Sequence, residues 1–185
     1  MSADAQPSES KISGETSSPF WRFSLAVYAA TGVADACLEL QENAGADVNV
    51  LLYGLWLGTQ RRRLQAEEMR AIVALIESWR REIVAPLRHV RRTLKTPPAA
   101  FKAAAAAALR RQVKRVELEA EHMQQDALYA WRPASRIGRE EEKATAIAAN
   151  VETYSGALGV CFSPQPVLTL ISAALACAPQ GGDQT

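Results

Sequence analysis

The chain has 185 residues, nearly half of them hydrophobic, and a formal net charge of +1. That length is enough for one domain with a sizeable core, and the near-neutral balance argues against a general polyanion binder. Three scattered cysteines, Cys37, Cys161 and Cys177, are too few for a disulfide framework or a zinc knuckle and fit a reducing compartment, the cytoplasm.

Residues 1–18 are rich in Ser, Asp, Glu and Lys and lack the apolar core of a signal peptide, so they read as a disordered tail. Ser18 before Pro19 supplies an N-cap and a first-turn proline. The stretch from Pro19 to Gly45 then reads as one helix bent near Gly32, or two short ones. Asp47 caps VNVLLYGLWLG, which is apolar nearly all round and therefore belongs at the centre of a bundle. On its edge, Asn49, Tyr53 and Trp56 fall at helical spacing, and a buried Asn49 amide demands a partner. Arg88 or Gln41 could supply one.

Gln65 to Thr96 forms the third helical region. Its second half sorts Trp79, Ile83, Leu87, Val90 and Leu94 onto one edge and Arg80, Arg81, Arg88, Arg91, Arg92 and Lys95 onto the next. Pro86 should kink or divide this helix near Glu82 to Ala85. Thr96-Pro97-Pro98 is the clearest break in the chain. Beyond it, Leu109, Val113, Val116, Ala120, Met123 and Ala127 recur at spacings of four and three, a seam for one antiparallel neighbour. If no segment of the chain fills that seam, a homodimer is expected. A loop over Arg132–Gly138, a fifth helix from about Arg139 to Leu158 and a sixth from Pro164 complete an all-α, single-domain bundle of five to six helices over 19–178. A second disordered tail is expected over 179–185. Nothing reads as a strand.

Four ordered motifs accompany this pattern: Phe20-Trp21, CLELQ at Cys37–Gln41, GADVNVLLYGLWL at Gly45–Leu57, and Trp79 with PLRHVRRTLK ending at Lys95. With them the chain resembles, over Pro19 to Tyr154, an uncharacterised bacterial family of small proteins known only as a domain of unknown function. The resemblance supports the helical fold and implies no activity.

Charge is strongly segregated. From Arg61 to Arg115 there are 15 Arg and Lys against four acids, a local excess of +11, with acidic stretches on both sides. In a compact fold these blocks neutralise one another, and Asp35, Glu39 and Glu42 are the expected counterparts of Arg88, Arg91 and Arg92. Those three acids share a helical face, but the Glu-x-x-His companions of a helical carboxylate metal site are missing apart from a single Glu119/His122 pair. No metal, cofactor, nucleophile elbow or phosphate-cradling loop is indicated. Catalytic residues are therefore not assigned, and an enzyme is the less favoured class. The longest apolar run near the C-terminus, Val167–Ala178, is too short to span a bilayer, and no membrane association is expected.

Two functional classes follow. The favoured one is a cytoplasmic, non-catalytic protein–protein interaction module whose partner is an unidentified protein or a second copy of the chain. The alternative is an anion-binding domain in which Asn49, Tyr53, Arg88, Arg91 and Arg92 hold a phosphorylated small molecule or nucleic acid. Nucleic acid is not favoured, because the basic block has acidic flanks and lacks a stacking platform or helix-turn-helix.

Overall fold

Asn49 to Gly58 are all buried, and a run so apolar on every side can be satisfied only by neighbours all around it. This run is helix α3 (Val48–Thr59), and the other elements surround it in a computed structural model that describes residues 18–177. The expected tails lie outside the described residues, apart from Ser18.

Ser18 caps α1 (Pro19–Tyr28), its Oγ accepting from the Trp21 N–H at 3.1 Å. Gly32, at φ 80°, then turns the chain in the left-handed region that glycine tolerates, and α2 (Val33–Ala44) leaves at 98° to α1. The first helical stretch is thus two helices. Asp47 caps α3, its Oδ1 accepting from the Asn49 N–H at 2.8 Å and the Val50 N–H at 3.2 Å.

α3 packs most extensively on α7 (Lys143–Leu158), and glycine makes the approach possible. A Cβ on Gly58 would lie 2.6 Å from the Ile147 Cα. One helical turn further along α7, the Asn150 side chain serves three backbone groups: its Oδ1 accepts from the Leu64 N–H at 2.7 Å, and its Nδ2 donates to the carbonyls of Gly54 and Arg62, both at 2.9 Å. The chain leaving α3 is thereby fixed to α7 by one side chain. There Arg62–Arg63 (β1) pairs antiparallel with Arg139–Glu140 (β2). This pairing was not expected from the sequence, because two residues are too few to show alternation. It also delays the helix expected from Arg139 until Lys143, with Glu142 as its cap.

α4 (Ala66–Trp79) starts with a capping box between Gln65 and Glu68 and runs through a π-helical turn (Arg80–Val84) into α5 (Ala85–Thr93). The turn lies just before Pro86, whose ring would clash with the carbonyl four residues back in a regular α-helix. The wider turn also changes the phase. Val84 is buried and Ile83 exposed, where an uninterrupted α-helical pattern put Ile83 inside. Since α4, the π turn and α5 are continuous, the described residues form seven helical rods, more than the five to six expected.

α6 (Ala103–Trp131) is the longest helix, at 29 residues, and it departs furthest from the expected phase. It buries Ala106, Glu117, Ala120, Gln124, Gln125 and Leu128. Of the expected seam, Ala120 is buried and Val113 half-buried, while Leu109, Val116, Met123 and Ala127 are exposed. The polar residues turn inward because each meets a partner: Gln124 Nε2 donates to Asp47 Oδ2 at 2.9 Å and Gln125 Nε2 to Asn49 Oδ1 at 2.8 Å. The Trp79 indole N–H likewise donates to the Ala120 carbonyl at 3.0 Å. α8 (Pro164–Ala176) covers α2.

Two substitutions test this packing. Alanine at Gly58 would gain roughly 1 kcal/mol of helix propensity, but the overlap with α7 backbone outweighs it. G58A is expected to lose about 2 kcal/mol net. N150A, which strands a buried Leu64 N–H and two carbonyls, should lose about 3 kcal/mol. Urea unfolding followed by circular dichroism measures both as a lower midpoint at unchanged slope.

Candidate functional site

The basic edge of α5 faces the acidic edge of α6. Arg88 and Arg91 stand one turn apart on α5, and Glu117 and Glu121 one turn apart on α6. Arg88 Nε donates to Glu117 Oε1 at 3.2 Å and its Nη2 to Glu121 Oε1 at 2.6 Å. Arg91 donates to both oxygens of Glu117, from Nη2 to Oε1 at 3.1 Å and from Nε to Oε2. Glu117 is buried and accepts from two guanidinium groups, the arrangement that makes a buried carboxylate tolerable. The bond to Glu117 raises the pKa of Arg91. The expected pairing with α2 holds at one position: Arg92 Nη2 donates to Glu42 Oε1 at 3.0 Å on the exposed rim. The carboxylates on Arg88 and Arg91 come from α6, whereas Asp35 and Glu39 are exposed.

Above this ladder, α1, α2, α3, α5 and α6 enclose an open cleft of about 400 Å³, within the size range of small-molecule sites. Asn49, Arg88, Arg91 and Arg92 all line it. Tyr53 does not. It is fully buried in the core against Phe20 and Trp56, with ring centroids 5.1 and 5.8 Å away, and burial pushes its phenol up to about 12. The amide partner of Asn49 is Gln125, in place of the expected Arg88 or Gln41. Residues not assigned to the site from the sequence complete the lining, notably Trp21, Ser24, Leu25, Tyr28, Lys114 and Leu118. One signal for α6 was present: Glu117, Glu121 and Gln125 recur every four residues, a polar ladder matching the arginines of α5.

Trp21 stacks on His122 with ring centroids 3.9 Å apart, which fixes α1 over α6, and His122 lies 3.7 Å from Asp126. Burial raises the Cys37 thiol to about 12, so its thiolate form is suppressed. Among the described residues, no three His, Cys, Asp or Glu side chains gather where they could hold one metal ion. No single helix among them is long and apolar enough to cross a membrane.

Glu121 carries a testable electrostatic signature. Burial raises its pKa, although Arg88 opposes the shift. Because its folded pKa exceeds its unfolded value, the folded state binds the proton more tightly, and this group's contribution to stability is complete below the unfolded pKa and lost as pH rises through the folded one. Wild type should therefore lose stability, relative to E121Q, as pH is raised from about 4.5. Urea midpoints of the two proteins at stepped pH read the difference.

No curated protein and no solved structure matches the chain. Residues 19–128, spanning α1 to most of α6 and with them the whole lining of the cleft, match the model of one family. The chain belongs to the family described as Protein of unknown function (DUF2390).

Proposed function

We propose that this chain is a cytoplasmic, non-catalytic interaction module that pairs with a second copy of itself through α6. The observation that carries the reading is the outward stripe of that helix. Leu109, Val116 and Met123 are 48%, 47% and 54% exposed. They recur every seven residues, so they lie on one line along the helix. Large apolar side chains aligned in this way mark an association surface more than scattered ones do.

The charge pattern of α6 selects the partner and its direction. On the exposed flank beside this stripe, Arg115 lies in the first half of the helix and Glu119 and Asp126 in its second. Antiparallel pairing about Val116 sets Leu109 against Met123 of the second copy and Val116 against Val116. It also sets Arg115 of each copy beside the Glu119 side of the other. A parallel pair would bring like charges together.

Light scattering checks the reading directly. The wild-type mass should rise with concentration towards twice the 20.1 kDa of one chain, and V116D should remain at the single-chain mass while keeping its helical signal. Under mild oxidation V116C should form a covalent dimer and L109C should not, since antiparallel pairing keeps the two Leu109 positions apart. A wild-type mass that stays at one chain at every concentration sinks the proposal.

A further inference from the structure

The cleft bounded by α1, α2, α3, α5 and α6 lies on the other side of α6 from the exposed stripe. Leu118, which lines it, is two residues and so about 200° round the helix from Val116. A ligand there is independent of self-association. We infer that this cleft binds a small amphiphile with an apolar body, one anionic group and a hydroxyl or amide N–H donor beside that group.

The apolar requirement comes from the walls. Leu25, Tyr28, Leu38 and Leu118 are among the most exposed large hydrophobic residues of the fold, and all four converge on this cleft. An apolar body lying between them removes this surface from water.

Charge sets the headgroup. Arg88, Arg91, Arg92 and Lys114 line the cleft with Glu117 and Glu121, and Glu42 holds Arg92 from outside. Four cations against three carboxylates leave one positive charge over. Arg88 directs two of its N–H groups at Glu117 and Glu121, and Arg91 two at Glu117. A guanidinium has five, so donors remain for an anion.

The donor requirement comes from two buried atoms. Ser24 and Gln125 are each 3% exposed and line the cleft, yet Ser24 Oγ and Gln125 Oε1 have no hydrogen-bond partner. Gln125 spends its Nε2 on Asn49, and the remaining carbonyl oxygen can only accept. That oxygen is unpaired in the free protein, and a ligand bearing a hydroxyl gives it the donor that a plain acid lacks. The Ser24 hydroxyl can then donate to the anionic group.

The probes are 3-hydroxydecanoate, decanoate and decan-1-ol, titrated by calorimetry into the full-length protein. The expected order is 3-hydroxydecanoate tightest, decanoate about tenfold weaker for want of that hydrogen bond, and decan-1-ol weaker again. K114E, on an exposed position, should retain the wild-type fold and weaken 3-hydroxydecanoate by about tenfold while leaving decan-1-ol unchanged. Q125L should erase the preference for the hydroxylated acid. No uptake of 3-hydroxydecanoate, equal uptake of the three probes, or affinity untouched by K114E overturns the inference. Equal binding of the two acids overturns the role of Gln125. Because V116D leaves the cleft intact, the same titration on that variant separates failure of the cleft from failure of the dimer.

Discussion

The Asp47 carboxylate sits where the most apolar helix of the chain begins, and elements distant in sequence are fastened to it. Its Oδ1 caps α3, its Oδ2 accepts from Gln124 of α6, and Arg80 of the π turn lies 3.5 Å from it. Its own N–H donates to the Tyr154 hydroxyl of α7 at 2.7 Å. A helix buried on every side cannot send its first N–H groups to water, so their satisfaction has to be built in. Here one residue satisfies them and sets the positions of three other elements. The amide pair Asn49 and Gln125 adds a second polar tie between α3 and α6 beside it, and the cleft opens above it.

The π turn serves the site as well as the fold. By widening the helix before Pro86 it rotates everything that follows, so Val84 closes the core while Arg88 and Arg91 come to face Glu117 and Glu121. A regular helix through this stretch would keep Ile83 inside and shift the basic edge away from α6. The local conflict between proline and helix thus fixes the ion-pair ladder that forms one wall of the cleft.

Much of this was legible in the residues. Ser18 with Pro19, Asp47 before an all-apolar run, and the Pro97-Pro98 break mark helix boundaries by chemistry that acts within a few residues, and the structure has them there. The all-α class and the central place of α3 followed from the same signals. What was not legible was the phase of α6. A hydrophobic pattern sends Leu109, Val116 and Met123 inward and Glu117, Gln124 and Gln125 outward, but the packed fold does the reverse. Its polar side chains are worth burying only because Arg88, Arg91, Asp47 and Asn49 wait for them in other elements, and a sequence read one helix at a time does not contain that pairing. Tyr53 was misplaced for a related reason. Its spacing from Asn49 puts both on one edge of α3, yet the aromatic rings of Phe20 and Trp56 claim it for the core.

The close contact of α3 with α7 has a consequence for what counts as the unit. The family match ends at residue 128, inside α6, while Ile147, Asn150 and Tyr154, which cover Gly58, terminate the backbone leaving α3 and reach Asp47, all lie beyond it. The boundary of recognisable similarity is therefore not the boundary of the folding unit. In this chain the α3 run is covered by α7, whose backbone meets Gly58 and whose Asn150 amide ties down the segment that follows. The α3 helix of the matched region is completed by a helix outside it.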